Sequence, residues 1–375
     1  MARKPIAKPR LPGPDELPVE GERRRGRGAR SNSSGRFEAE ARQVFDDGWD
    51  SMTELEPFKT EIRIEQAKSI IATNDSPDIG FDQSINVYRG CEHGCIYCYA
   101  RPTHCYLGLS AGLDFESVLI AKTNAAELLE KELAKRSYRV KTIALGTNTD
   151  PYQPIERRYE LTRQILQVMD RTSHPVGIVT KSASILRDLD ILASLARRGL
   201  VTVNLSVTTL DRKLARRMEP RASTPERRLE AMAALNEAGV PAGVMVAPIL
   251  PALNDPEIET ILQRAHDAGA RHAGYVLLRL PLEISGLFQE WLQEEFPDRA
   301  SRVMKLMRST RGGKDYVSDW GERQTGTGPY AELIAQRFRI AVARLGMNRE
   351  RRSLRTDLFT PPLGGATQFD LFKSA

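Results

Sequence analysis

From about residue 85 onward, short apolar β-branched runs alternate with amphipathic helical stretches, and this rhythm limits what the chain can become. The runs Ser84–Arg89, Val140–Gly146, Val176–Thr180, Val201–Val207, Ala242–Ile249 and Ala273–Leu280 predict strands. Helical segments lie between them. Asn124 is placed to cap a helix carrying Leu128, Leu129 and Leu133 on one face. Thr224-Pro225 and Asp255-Pro256 read as an N-cap followed by proline in the first turn. Gly199, Gly239 and Gly269 suit helix C-caps. Six strand–helix repeats call for parallel strands with crossover helices.

Two closures fit such a pattern, an open doubly wound sheet or a barrel. No G-x-G-x-x-G follows the first strand, and Gly312-Gly313-Lys314 lacks P-loop spacing. A complete barrel has eight units. The expectation is therefore an α/β chain with a partial (β/α)6 TIM-type barrel over residues 85–285. A disordered basic tail (1–40), a lead-in (41–84), a helical extension (286–346) and a flexible tail (347–375) complete the division. In the extension Leu287–Phe296, Arg299–Met307 and Tyr330–Leu345 predict helices. Trp291, Phe296, Trp320 and Phe338 are expected to pack there.

In βα barrels the C-terminal strand ends build the site. Each run here delivers polar or turn-forming residues to that rim: Thr147–Pro154 after the second, Lys181-Ser182 after the third, and Ser206, Thr208 and Thr209 at the fourth. Pro248 and Pro251 follow from the fifth run and Arg279 from the sixth. After the first run comes Gly90-Cys91-Glu92-His93-Gly94-Cys95-Ile96-Tyr97-Cys98-Tyr99-Ala100-Arg101. The chain has four cysteines, and the fourth, Cys105, lies seven residues further on. Three thiolates so close need a metal or a cluster to relieve their repulsion. A structural zinc site wants four ligands, and His93, His104 or Cys105 could complete one. A four-iron cluster on three cysteines would instead keep one iron open for catalysis. The bacterial ferredoxin spacing has a shorter first gap.

The C-x3-C-x2-C run with Tyr97 before its last cysteine resembles the radical S-adenosylmethionine superfamily. That resemblance implies a partial or complete βα barrel, a [4Fe-4S] cluster and S-adenosyl-L-methionine. In such enzymes the open iron binds the methionine amino and carboxyl groups, and reductive cleavage gives methionine and a 5′-deoxyadenosyl radical. An external electron donor is implied. More narrowly, Gly90–Arg101, Thr149–Glu156 and Val179–Ser182 are similar to the spore photoproduct lyase-like branch, often labelled DNA repair photolyase. Gly26–Ala29 and Arg36–Glu38 look typical of an uncharacterised bacterial subgroup of that branch. The resemblance covers about residues 60–290. It implies Cys91, Cys95 and Cys98 as cluster ligands, with Tyr97 lying against the cofactor. It further implies Thr149 at the methionine moiety, Lys181 pairing with its carboxylate and Ser206 near the ribose or carboxylate. The lyase that repairs the thymine photoproduct has an extra cysteine near the second strand end as hydrogen donor. Here Gly146–Asp150 has none, which leaves the catalytic residue unassigned and Cys105 as the spare thiol. Tyr88, Tyr99, Tyr106 and Tyr152 read as packing residues, with a radical relay as the alternative.

Charge is concentrated at the start. Residues 1–36 hold ten Lys/Arg against four acids, leaving 45 of each elsewhere. A smaller cluster is Arg349, Arg351, Arg352 and Arg355. A basic tail can hold phosphate backbones by counterion release. Gln368–Phe372, Q-x-x-L-F, resembles the bacterial sliding-clamp-binding motif, in which an extended peptide places Leu and Phe in an apolar pocket. No apolar run spans a membrane, no signal-peptide core begins the chain, and four clustered cysteines cannot form a secreted disulfide framework. The expected location is the cytoplasm. The leading expectation is a radical enzyme acting on DNA or another nucleic acid, in repair or modification. The alternatives are the same chemistry on a protein or small molecule, or a zinc-dependent nucleic-acid-binding protein without catalysis.

Overall fold

The computed structural model describes residues 27–38, 59–350 and 353–362. The basic residues before Arg27 and the Gln368–Phe372 motif lie outside these. Ten strands occur in chain order: β1 Glu61–Glu65, β2 Ile71–Thr73, β3 Gln83–Ile85, β4 Tyr88–Arg89, β5 Val118–Lys122, β6 Ile143–Leu145, β7 Val176–Thr180, β8 Val201–Ser206, β9 Ala242–Ile249 and β10 Ala273–Leu277. The main sheet runs β10-β9-β8-β7-β6-β3-β2. Its pairs from β3 to β10 are all parallel, and β2 alone joins antiparallel at the β3 edge. This is the six-strand partial barrel, with helices such as Leu161–Arg171, Pro225–Glu237 and Ile258–Asp267 on its outer face. The strands read as continuous apolar runs because both of their faces are covered. Val176, Ile178, Val203, Leu205 and Val244 are all at most 1% exposed.

Ser84–Arg89 is two strands in two sheets. Asn86 ends the first by turning its Oδ1 to accept from Asn148 N (3.0 Å) and Thr149 N (3.4 Å). The chain then re-enters as β4 in a small sheet ordered β1-β5-β4. This second sheet backs the cysteine loop, where Cys91 N donates to Phe115 O at 2.9 Å.

Several expected caps and contacts differ in detail. Thr224 caps its helix through Arg227 N. Asn124 sits at an N-cap position, but its amide bridges Ala67 N and O instead. Asn254, not Asp255, precedes the short 3-10 turn Asp255–Glu257, and its amide is spent on Leu250 N, Thr208 O and Pro248 O. Gly199, Gly239 and Gly269 all have positive φ. The extension folds as Ile284–Glu295, Pro297–Ser309 and Pro329–Arg344. Trp291 is fully buried against Phe288 and Phe296, and Phe338 packs on Tyr275. Trp320 does not join this core and is 58% exposed.

The terminal segments expected to be without structure are ordered where they are described. Residues 27–38 form a strap in which Gly28 N and Ala29 N donate to the two carboxylate oxygens of Glu116, at 2.8 and 2.7 Å. Arg30 pairs with Glu294 and Glu295, and Arg36 with Glu283. Residues 353–362 cross the N-terminal end of the barrel. Arg355 N donates to Gly199 O, Thr360 N to Thr172 O, and Phe359 packs on Tyr138 and His174. Specific docking overrides the polar composition that suggested disorder. No described helix is long and apolar enough to cross a membrane.

Candidate active site

The cysteine loop lies on the rim formed by the C-terminal ends of β6, β7 and β8, and main-chain bonds tie it there. Ile96 N donates to Met218 O at 3.0 Å, and Arg221 N to His93 O at 3.3 Å. Gln153, from the loop after β6, accepts from Glu92 N (2.9 Å) and donates to Gly90 O (3.1 Å). Behind the loop Arg101 is fully buried and donates to Cys95 O, Gly94 O, Ala111 O, Gly112 O and Glu116 Oε1. One guanidinium thus fixes five acceptors, a task its planar fork performs and a lysine would not. Gly94 turns between the first two cysteines at φ +65°, where a side chain would also strike Glu116.

Cys91 and Cys95 are buried, and Cys98 is partly exposed towards the rim. Burial, aided by Asp150 and the other two cysteines, pushes the Cys91 thiol well up. Burial pushes Cys95 up to about 12, although the Lys181 ammonium works in the other direction. Thiols in this state hold thiolate charge only when a cation shares it. Among the described residues no three His, Cys, Asp or Glu side chains converge tightly enough for a single metal ion. A cluster distributes its ligands over several irons and does not require such convergence. The other candidate ligands have partners of their own, although His104 keeps its buried Nδ1 without a hydrogen bond. His93 Nδ1 lies 3.4 Å from Asp150 Oδ2, His104 Nε2 lies 2.9 Å from Val118 O, and Cys105 is buried beneath Gly35 and Arg36 of the strap. The set fits a cluster held by Cys91, Cys95 and Cys98 with one iron open.

The residues expected to bind the cofactor flank this loop. Lys181 follows β7 directly, and its Nζ stands 5.7 Å from the centroid of the Tyr97 ring. Burial would lower the Lys181 ammonium, but Cys95 and Glu219 outweigh it and hold the group charged. It makes no direct ion pair among the described residues. Ser206, buried at the end of β8, receives Arg228 on its carbonyl at 2.9 Å. Tyr97 presents its ring to Lys181 while its hydroxyl donates to Glu219 and meets Thr208 Oγ1 at 3.3 Å. Thr149 commits its hydroxyl to Tyr88 O at 3.2 Å.

Two buried acids stand behind these residues: Asp150, which the sequence placed in the rim run Thr147–Pro154 without a role of its own, and Glu219, which sequence reasoning missed. Asp150 accepts from Lys181 N (2.8 Å) and Thr180 Oγ1 (2.7 Å). Burial alone would raise its carboxyl, but His93 and these donors hold it well below the usual carboxylate range. Glu219 joins Tyr97, Thr208 and Arg228, and its side chain and that of Arg228 are each 1% exposed. Burial would raise Glu219 too, yet Arg228 and Lys181 keep it ionised. Of the tyrosines, Tyr88 and Tyr152 are buried, and Tyr106 stacks on Phe37 at the surface. Tyr99 is 47% exposed beside Cys98, and its hydroxyl donates to Thr147 O.

Comparison with known proteins agrees with this architecture. Residues 85–265 match the Radical SAM superfamily. An uncharacterised protein of Mycobacterium tuberculosis is 40% identical over 230 residues, spanning 61% of this chain and 68% of that one. An uncharacterised protein of Methanocaldococcus jannaschii is 27% identical over 241 residues, 64% of this chain and 86% of that one. Spore photoproduct lyase complexed with dinucleoside spore photoproduct shares the fold at TM-score 0.56 and 15% identity, covering 76% of this chain and 80% of that one. With three thiols in a β-strand-following loop on the rim of a six-stranded partial barrel, the chain belongs to the radical SAM superfamily, whose cofactors are a [4Fe-4S] cluster and S-adenosyl-L-methionine.

Proposed function

We propose that this protein holds a [4Fe-4S] cluster on Cys91, Cys95 and Cys98 and acts on DNA or another nucleic acid, in a photolyase-like repair or modification reaction. The observation that carries the reading is the three-thiol loop at the rim, beside a charged Lys181 that has no ion-pair partner of its own among the described residues. The bound cofactors supply a 5′-deoxyadenosyl radical by one-electron cleavage of the sulfonium. Lys181 pairs with the methionine carboxylate, and Ser206 hydrogen-bonds near the ribose or carboxylate. Tyr97 forms a floor through its ring, because its hydroxyl is spent on Glu219. Thr149 shapes the β6 loop at the methionine end.

The nucleic-acid part is supported by the basic residues that open the chain and by the shared fold with a lyase solved with a dinucleoside photoproduct. The stretch 146–150 carries no thiol, and Cys105 is shut beneath the strap, so the hydrogen donor differs from a cysteine at that strand end. An external electron donor completes the reaction. Further partners in this reading are phosphate backbones at the N-terminal basic residues and a sliding clamp at Gln368–Phe372. The compartment is the cytoplasm, where thiols stay reduced.

Anaerobic reconstitution with iron and sulfide tests the reading. A four-iron EPR signal after reduction and release of 5′-deoxyadenosine are expected. Both should be lost in Cys91→Ala, Cys95→Ala and Cys98→Ala and kept in Cys105→Ala. Stoichiometric zinc with neither signal would overturn it. Lys181→Met should raise the KM for S-adenosyl-L-methionine about tenfold, the worth of one charge-assisted bond.

A further inference from the structure

The sixth parallel strand and the turn after the helix Pro297–Ser309 bring together an arginine pair that the cofactor reading leaves unused. Arg279 follows β10 at its C-terminal end, on the same rim as the cysteine loop. Its guanidinium carbon stands 5.1 Å from the centroid of the Tyr99 ring, next to Cys98 in sequence. Its hydrogen bonding is thin. One Nη donates to Tyr316 OH at 3.4 Å, and its buried Nε has no partner. Behind it Arg311 is 2% exposed and gives its two Nη groups to neutral carbonyls, Glu322 O at 2.6 Å and Leu278 O at 3.0 Å. Its Nε is also buried without a partner. Burial and the neighbouring Arg279 pull the Arg311 guanidinium down to about 10.

The nearby acids are engaged elsewhere. Asp78, which feels the Arg279 charge, is bound by Arg323 and Gly321 N. Asp315 is bound by Arg308 and Ser285. Glu322 gives Arg311 its main-chain carbonyl, and its carboxylate favours the Arg311 charge without forming an ion pair among the described residues. Two guanidiniums in mutual repulsion, each with a buried N–H unsatisfied, are costly without an anion. The planar fork of arginine matches a tetrahedral oxyanion in two-point contact, and its stacking on Tyr99 holds the fork in place.

We infer that Arg279, backed by Arg311 and Tyr316, is a phosphate-binding subsite on the rim, and that it takes a phosphate or phosphodiester group of the substrate beside the cysteine loop. The substrate part rests on the nucleic-acid reading above. The subsite itself rests on the arginine geometry alone.

Isothermal titration of the full, cluster-loaded chain with inorganic phosphate at fixed ionic strength tests it. Binding should weaken about tenfold or more in Arg279→Gln and recover in part in Arg279→Lys, which restores charge without the fork. An unchanged thermal midpoint would show that the variants fold. Absence of phosphate binding, or equal binding by Arg279→Gln, would overturn the subsite. A second titration with a single-stranded oligodeoxynucleotide separates the two claims. Arg279-dependent phosphate binding without oligonucleotide binding keeps the subsite and removes the nucleic-acid reading. Oligonucleotide binding that ignores Arg279, with no phosphate binding, does the reverse.

Discussion

Glu219 shows what a single residue does here and why it is hard to read in advance. Its carboxylate collects Tyr97, Thr208 and Arg228 in a site that excludes water. Tyr97 lies 122 positions away in the chain, so no local pattern marks the acid. The cysteines are the opposite case. Cys91, Cys95 and Cys98 fall within one loop, so their spacing alone points to a metal or a cluster, and the family resemblance implies which. The placement of Lys181 and Ser206 beside that loop was legible because strand ends in a barrel point at one rim. Removing Glu219 leaves the Arg228 charge buried and unpaired, a change that costs about 3–5 kcal/mol. Glu219→Ala should therefore lower the urea unfolding midpoint by a large step, while Glu219→Gln, which keeps hydrogen-bonding atoms in place, should cost less. A Glu219→Ala chain as stable as the wild type would show that Arg228 finds other acceptors.

At the scale of elements, the parallel strands were legible because burial on both faces makes them continuously apolar. β1 was not, because Glu61–Glu65 is short and its alternating apolar residues are barely buried, with Ile64 53% exposed, so it lacks the continuous apolar run of the others. The strap 27–38 was hidden for another reason: it docks through its backbone on one carboxylate, which apolar periodicity cannot register. It is packed tightly enough to test. A methyl group on Gly28 would fall 1.8 Å from Gly94 O, inside the cysteine loop, so Gly28→Ala must lift the strap or shift the loop. Such overpacking costs about 1–3 kcal/mol. The variant should lose cluster iron to a chelator faster than the wild type, and equal rates would show that the strap does not guard the loop. At the opposite end of the barrel, His174 precedes β7 between Tyr138 and Phe359. Its ring nitrogens lie 3.0 Å from Pro175 O and 2.7 Å from Tyr138 OH, a pattern that suits the neutral ring. Burial pulls the imidazole down to about 4 from its ordinary 6.5. Between those values the unfolded chain binds the proton and the folded chain does not. Stability is thus complete above the upper value and falls with pH through the window, by about 3 kcal/mol in all. Urea midpoints measured at about pH 7 and pH 5 should show about 2 kcal/mol of this drop, and His174→Gln should flatten it. A variant with the wild-type slope would move the effect to another group.

At the scale of the whole molecule, the strap changes how the basic start of the chain must be counted. Ten Lys/Arg precede residue 37, but Arg27, Arg30 and Arg36 are already placed. Arg27 donates to Glu116 O and Thr60 Oγ1, Arg30 meets Glu294 and Glu295, and Arg36 meets Glu283. Their charge is spent on holding the strap against the barrel. Seven basic residues, Arg3, Lys4, Lys8, Arg10, Arg23, Arg24 and Arg25, remain for a polyanion. A deletion that tests phosphate binding should therefore end at Gly26, because one reaching residue 36 would also strip the Glu116 contacts behind the cysteine loop. If the seven side chains neutralise phosphates on duplex DNA, removing residues 1–26 should reduce the slope of log affinity against log salt by up to about six. Iron content should stay unchanged in the shortened chain, since its strap is intact. A slope equal to that of the full chain would assign nucleic-acid contact to the folded rim, where Arg279 stands, and remove the N-terminal residues from the reading.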